Sequence, residues 1–353
     1  MSLEVKPMPT LTRDPVFFSY MIRLISFFAV VLFHFNVAVT QFYPNSMLIG
    51  KLSYANQTVG DMAISLFIIT SGFSLEMSTR GHFNIKKYLA KRFISIYPAF
   101  WVCYILVGLF LFLNNGHLSG DNEHWKMVLS ITGLDGFFLY RMHNYYLVGE
   151  WYTGYILLTY LLFPFLLIGI RFNPIITFIV VMLIFVGLYV NYNNLFKVYI
   201  NCNPLMRLPD FLFGMLFSRF IYPVQKRFTY CGIISCITFI ILITFFKNLP
   251  SQLYMLIFGC CLYSILAMLF NFLKDVKLLV APVNELAGLT FIAFLLHHQI
   301  IYFLFAKLNY SQMSAIEAIY FFSSICILSL GSAYIIKPYI AKLENSFRKM
   351  LLR

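Results

Sequence analysis

Residues 23–34 read RLISFFAVVLFH, an arginine and a histidine that enclose ten residues without charge. Extended to residues 17–37, this run is long enough to cross a bilayer as a helix. Arg23 and His34 are separated by about 1100° of helical rotation, which puts them within about 20° of one face, and by roughly 16 Å along the axis. Ionisable side chains inside a membrane helix are costly, so this pair is a candidate functional site.

The rest of the chain has the composition of a membrane protein. Of 353 residues, 61% are hydrophobic and 11% charged, and the mean hydropathy is +0.80. We predict an all-α integral membrane protein, a polytopic bundle of about ten transmembrane helices in a single domain, 1–353, with a helical core at about 17–336. We expect neither an appended soluble domain nor a cleaved signal peptide. The predicted spans are 17–37, 60–78, 94–113, 151–170, 174–190, 208–222, 230–246, 252–272, 287–306 and 315–336.

The basic residues indicate the orientation of these spans. A short apolar piece at 127–140 could be re-entrant or interfacial, because counting it as a span would place Arg219, Lys226 and Arg227 outside. Ten spans with cytoplasmic N- and C-termini therefore fit the positive-inside rule better. Basic cytoplasmic loops then explain the net charge of +13, and we expect no nucleic-acid partner.

The pair on the first span has a functional and a simpler interpretation. Arg23 would lie in the cytoplasmic third of the bilayer, where an arginine can bind a phosphate or pyrophosphate. His34 would lie in the outer half, where a neutral imidazole can take a proton from a hydroxyl group. In the simpler interpretation, Arg23 snorkels to the interface and His34 makes an interhelical hydrogen bond.

Other motifs follow the first span in a definite order. They are SGF at 71–73, a basic run ending in IYP at 96–98, EWY at 150–152 with a later Phe-Pro, RLPDFLFG from 207, and HH at 297–298. Together with Arg23 and His34, this ordered set resembles the acyltransferase-3 family of integral membrane acyltransferases over about 17–340. The resemblance implies transfer of an acyl group, usually acetyl from acetyl-CoA, to an extracytoplasmic glycan or related acceptor.

The resemblance implies that the donor, acetyl-CoA, binds at the cytoplasmic end of the helix bundle, which we call the cytoplasmic mouth. Arg92, Lys91 and Lys87 could hold its negative charges. The family often has a second arginine where this chain has Ser95, and one of the lysines could replace that charge. The alternative is a loop that sets topology and contacts lipid headgroups.

Residues around the SGF motif have a second expected role. Ser71 and Gly72 could let the thioester arm of the donor pass close to the backbone, since glycine has no side chain. Helix packing by small residues is the alternative. The family often has an acidic residue six positions before this serine, whereas this chain has Ser65; Asp61 could replace it.

Three residues are expected to take part in catalysis. His34 would be the general base that activates the acceptor hydroxyl, with a covalent acyl-histidine as the variant. Arg23 would orient this histidine indirectly or bind the pyrophosphate of CoA. Glu150 would bind acceptor hydroxyls or polarise His34; capping its helix beside an interfacial aromatic is the alternative.

Four residues are expected to contact the acceptor substrate. Trp151 could stack on a sugar ring or belong to an aromatic belt. Arg207 could hold an anionic group or snorkel. His297 and His298 point about 100° apart, so we expect at most one to face the cavity, and the sequence does not indicate which.

No metal site is expected from the spacing of metal-ligating residues. The outer loop contains His117, His124 and His143 with Asp121 and Glu123, but the spacings match no standard zinc pattern.

The predicted function is thus a membrane O-acetyltransferase, in the bacterial cytoplasmic membrane, that modifies a surface polysaccharide or its precursor. Its partners would be acetyl-CoA, a glycan or lipid-linked saccharide, and membrane lipid. A secondary transporter or a glycan flippase is the alternative. Transporters usually show two similar halves, which this sequence lacks.

Overall fold

The computed structural model describes residues 16–55, 57–81, 83–117, 123–142, 144–307 and 312–352. Within these ranges the chain forms twelve α-helices and one two-stranded antiparallel ribbon. The helices are α1 (Phe17–Phe42), α2 (Val59–Ser78), α3 (Ile85–Asn115), α4 (Met127–Thr132), α5 (Glu150–Phe172), α6 (Pro174–Leu195), α7 (Leu208–Leu216), α8 (Gln225–Phe245), α9 (Ser251–Asn271), α10 (Lys277–Ala287), α11 (Thr290–Lys307) and α12 (Ala315–Leu351). The strands are β1 (Ser53–Tyr54) and β2 (Gln57–Thr58), and short 3₁₀ turns cover His124–Lys126, Asp135–Phe138 and Ile200–Cys202.

Nine helices in the described part of the chain are long and apolar enough to cross a membrane. They are α1, α2, α3, α5, α6, α8, α9, α11 and α12. The predicted all-α polytopic fold is confirmed, and the chain is a multi-pass membrane protein. Helix α2 is central, with 72% of its spanning residues buried, whereas the corresponding share is 17% in α6.

The one remaining predicted span, 208–222, is not a long helix. It consists of α7, nine residues, and a π-helical segment, Phe217–Ile221, which together extend about 21 Å against a hydrocarbon core of about 30 Å. Its sequence is apolar, and Pro209 lies in the first turn of α7, where a missing N–H breaks no helical hydrogen bond.

The chain around α7 nevertheless runs along most of α2. Asn201 donates a hydrogen bond to Asp61 at 2.9 Å, and Arg219 pairs with Glu76 at 2.9 Å. Asp61 and Glu76 are about 22 Å apart along α2. Residues 201–219 therefore run beside α2, and the first part of this segment is not helical. Membrane proteins tolerate such irregular backbone where protein surrounds it.

Two glycines allow α2 and α7 to approach each other closely. A Cβ atom at Gly72 would overlap the carbonyl oxygen of Phe211, and one at Gly214 would overlap the carbonyl oxygen of Ile69. Small residues have this role at many helix contacts in membranes. Packing therefore accounts for Gly72, while its role in donor binding stays a prediction.

Residues 127–140 enter the helix bundle as far as the middle of α3 and do not cross it. Trp101 donates from Nε1 to the carbonyl oxygen of Ile131 at 3.0 Å, and Tyr97 donates to that of Thr132 at 3.3 Å. Both donors lie near the middle of α3, at the thirteenth and seventeenth of its 31 residues. Of the two alternatives left by the sequence, the re-entrant one matches this depth.

The re-entrant segment fixes the start of α5. A Cβ atom at Gly136 would overlap the backbone of Trp151, and one at Gly154 would overlap the carbonyl oxygen of Gly133. This close contact places Trp151 and Tyr152 inside the bundle, where they line the candidate site.

Candidate functional site

Helices α1 and α11 bring three histidines together. The ring centroid of His34 lies 4.1 Å from that of His298 and 5.3 Å from that of His297. The His297 and His298 centroids are 4.2 Å apart. We call His34, His297 and His298 the histidine cluster.

His34 is the member of this cluster that lines a cavity. His297 and His298 are buried behind it, and neither lines the cavity wall. The expectation that one of the two would reach the acceptor therefore finds no support in the geometry. The 100° between consecutive residues makes them flank the His34 ring instead.

The cavity has a volume of about 190 Å³ and lies between α1, α2, α5 and α11. Its aromatic lining comes from Phe33, Trp151, Tyr152, Tyr199 and Phe294. Its polar lining comes from His34, Thr58, Asp61 and Asn201. Aromatic faces beside hydrogen-bonding groups suit a ligand that is apolar on one side and polar on the other, such as a sugar ring.

A hydrogen-bond network fixes the polar part of this lining. The Asp61 carboxylate accepts from the Thr58 hydroxyl at 2.8 Å and from the Asn201 amide at 2.9 Å. Gln252 in turn donates to the Asn201 side-chain oxygen. Asp61 therefore belongs to the cavity wall, and the network orients its carboxylate before any ligand binds.

Arg207 is buried away from the cavity, with 1% of its surface exposed. Its Nη2 donates to the Ser65 hydroxyl at 2.5 Å, Nη1 contacts the Met255 sulfur, and Nε lies 3.5 Å from an Asp210 carboxylate oxygen. The snorkelling alternative is wrong, because α2, α7 and α9 enclose the guanidinium group. Its predicted contact with the acceptor has no geometric support. We call Ser65, Arg207 and Asp210 the Arg207 cluster.

Sequence reasoning missed Asp210. The position where the family often has an acid is Ser65, and the structure brings the Asp210 carboxylate beside that serine from another helix. The spacing of Arg207 and Asp210, three residues apart at the start of a helix, is the signal that could have indicated an ion pair.

Arg23 and His34 share α1, and Tyr152 of α5 lines the cavity beside His34. Arg23 is partly buried and lies over the Tyr20 ring at 5.7 Å. Tyr152 lines the cavity with His34, adjoins Ser71, and lies within electrostatic range of Arg23.

The three predicted donor-binding residues on α3 differ in exposure. Arg92 is partly buried, with its guanidinium 5.5 Å from the Tyr160 ring centroid and 5.9 Å from that of Tyr88. Lys87 and Lys91 are exposed. The arginine is therefore held in place by α5, whereas the lysines are available to a large anion from solvent.

A group of arginines lies at the C-terminal end of α2. Glu76 is fully buried and pairs with Arg219. Arg80 and Arg171 donate to backbone carbonyl groups nearby. These contacts tie the loop after α2 to α5 and to the π-helical segment, a structural role that hydropathy does not reveal.

Several expected residues lie partly or wholly outside the described residues. Glu150 is the first residue of α5, but its side chain is among those the structure does not describe. His143 and Asp121 also lie outside. In the same outer loop, His124 contacts the Tyr145 hydroxyl at 2.7 Å, and His117 is exposed.

Comparison with known proteins gives a family and a partial relative. Residues 20–337 match the family described as acyltransferase domain. A segment of 86 residues is 30% identical to the acyltransferase MdmB of Streptomyces mycarofaciens, and covers 24% of this chain and 22% of that protein. No solved structure matches.

Proposed function

This chain belongs to the acyltransferase family matched over residues 20–337, and from that membership we propose an O-acetyltransferase that uses cytoplasmic acetyl-CoA. Its acceptor would be a hydroxyl group of an extracytoplasmic glycan, a surface polysaccharide or its lipid-linked precursor. The observation that carries the proposal is His34, an imidazole on the wall of a cavity with aromatic and polar lining. The membrane would be the bacterial cytoplasmic membrane.

His34 would act as the general base. Its imidazole takes the proton of the acceptor hydroxyl while the oxygen attacks the thioester carbonyl. The carbon–sulfur bond then breaks, and the CoA thiolate leaves and takes the proton back from the imidazolium. His297 and His298 support this role because they hold the ring on the side away from the cavity.

The donor would extend from the cytoplasmic mouth toward His34. Arg23, Arg92 and the exposed lysines Lys87 and Lys91 could bind its phosphates. The reactive thioester and the charged end of CoA are far apart, which matches the roughly 16 Å between Arg23 and His34 along α1. Ser71 adjoins Tyr152 of the cavity wall and would lie beside the thioester arm.

The acceptor would bind in the cavity. Trp151 and Tyr199 supply aromatic faces, and carbohydrates commonly stack on such groups through their C–H faces. Asp61, already oriented by Thr58 and Asn201, can accept hydrogen bonds from sugar hydroxyls. This combination favours a saccharide over a purely apolar acceptor.

The test uses purified protein in liposomes with radiolabelled acetyl-CoA and added glycan acceptors. We expect the His34→Ala variant to lose about 10²–10⁴-fold in transfer rate while it still binds CoA. His117→Ala, which changes an exposed histidine of the outer loop, is the matched control. A folded wild-type protein that binds no acetyl-CoA would overturn the proposal.

A further inference from the structure

We propose that the histidine cluster is a binding site for a divalent transition-metal ion of the zinc class. Among the described residues, His34, His297 and His298 form a group in which one nitrogen of each ring lies within 4.8 Å of the others. Two of the rings are fully buried, and the third borders the cavity. Histidine is the commonest side-chain ligand of such ions.

The spacing of the rings suits one shared ion. Nitrogens that bind a single zinc ion tetrahedrally are about 3.4 Å apart, given Zn–N distances of about 2.1 Å. The widest pair in the cluster therefore needs to close by at most about 1.4 Å. Rotation of the imidazole rings on α1 and α11 can supply this change.

The second observation is the orientation of His297. Its Nδ1 lies 2.5 Å from the carbonyl oxygen of Phe294, and because a carbonyl only accepts, Nδ1 carries the proton. The Nε2 atom is then the unprotonated nitrogen of this ring. Histidines that bind metals usually donate their other N–H in this way, since the hydrogen bond fixes the tautomer and the ring.

The residues present select the kind of ion. Three neutral imidazoles suit zinc, cobalt, nickel or copper, whereas magnesium and calcium require mainly oxygen ligands. Three protein ligands also leave a fourth coordination position. Because His34 borders the cavity, that position would be open to water or to a small oxygen ligand beside Asp61.

Metal binding and the proposed base role of His34 exclude each other, a consequence that rests on the proposed function. A nitrogen that binds the ion cannot take a proton from an acceptor hydroxyl. We therefore expect zinc to inhibit acetyl transfer and a chelator to restore it. The binding site itself does not depend on any transfer activity.

The experiment titrates Zn²⁺ and Co²⁺ into the purified full chain in detergent. We expect one ion per chain by calorimetry, together with the intense visible bands of four-coordinate Co²⁺. Affinity should fall at least tenfold in His297→Ala and in His298→Ala, and remain unchanged in His117→Ala. His298→Asn keeps a polar side chain at this position, so it is the milder test of ligand loss. Thermal melting of every variant shows whether lost affinity reflects misfolding.

The outcomes separate the two proposals. Absence of binding by the folded wild type, or equal affinity in the histidine variants, overturns the metal site. Binding by a protein that transfers no acetyl group supports the site and counts against the proposed function. Binding that leaves the transfer rate unchanged, or raises it, overturns the competition at His34.

Discussion

The histidine cluster and the Arg207 cluster are both polar groups inside the membrane-spanning bundle, but their surroundings differ. His34 borders a cavity that can admit a second molecule. Arg207 is 1% exposed, and side chains from three helices contact its guanidinium group. The first arrangement leaves a basic group accessible for chemistry, whereas the second neutralises a buried charge.

This difference shows that an ionisable residue in a span can have either of two purposes. In the sequence, His34 and Arg207 are equally unusual, and both are functional candidates by default. Accessibility separates them: the Arg207 cluster joins α2, α7 and α9, and the histidine cluster joins α1 and α11 beside a cavity. Substitutions should therefore affect catalysis in one and stability in the other.

The largest expected effect is that of His34→Ala on the transfer rate. We expect the loss of about 10²–10⁴-fold to occur with little change in the midpoint of thermal unfolding, because a partly exposed ring is removed from a cavity wall. Thermal melting and single-turnover acetyl transfer on the same sample give both values. A large drop in the unfolding midpoint would indicate that His34, like Arg207, mainly stabilises the fold.

Arg207→Ala should show the opposite behaviour. It leaves the Asp210 carboxylate buried without its partner, which typically costs about 3–5 kcal/mol of unfolding free energy. Denaturant unfolding in mixed micelles measures this loss. The double variant Arg207→Met with Asp210→Leu removes both charges and should recover most of the stability, and a failure to recover would indicate a role beyond charge neutralisation.

Gly72→Ala should have a smaller effect in the same region. The added Cβ atom overlaps the Phe211 carbonyl oxygen, so α2 and α7 must separate, at a cost of about 1–3 kcal/mol. Gly187→Ala is a matched control, because a Cβ atom there meets nothing within 4 Å. If Gly72→Ala instead raised only the KM for acetyl-CoA, the glycine would border the donor.

Asp61→Asn should have the smallest effect, confined to the acceptor. It keeps the size of the side chain but removes the charge that accepts hydrogen bonds at the cavity wall. We expect the acceptor KM to rise about tenfold, which corresponds to roughly 1.4 kcal/mol, with the donor KM unchanged. Initial rates at varied acceptor and donor concentrations provide the comparison. A change in the donor KM alone would indicate that Asp61 acts on the donor and not on the acceptor.

Much of the fold could be predicted because hydropathy is a local property. Nine of the ten predicted spans fall on helices that can cross a membrane. The exception, 208–222, was read as a full span because its residues are apolar. They are apolar because protein surrounds them, and composition does not separate a short buried helix from a lipid-facing one.

The candidate site was only partly accessible to the same reasoning. The spacing of Arg23 and His34 identified one polar face of α1, and the motif at 150–152 identified residues of the cavity wall. Asn201 and Tyr199 were missed because they lie in an irregular segment without a periodic pattern. Asp61 was a candidate, but its hydrogen bond with Asn201 was not predicted because Asn201 lies in that irregular segment.

The sequence by itself determined that this is a multi-pass helical membrane protein of acyltransferase type, with His34 facing the same side of α1 as Arg23. These properties depend on apolar runs, helical spacing and the order of motifs. Only the tertiary structure decided that His297 and His298 lie against His34, and that Asp210 completes the Arg207 cluster. His34 is more than 250 positions from His297 and His298, and Ser65 is 142 positions from Arg207. Such contacts depend on how helices pack, and packing is set by the shape of whole helix faces rather than by any local pattern.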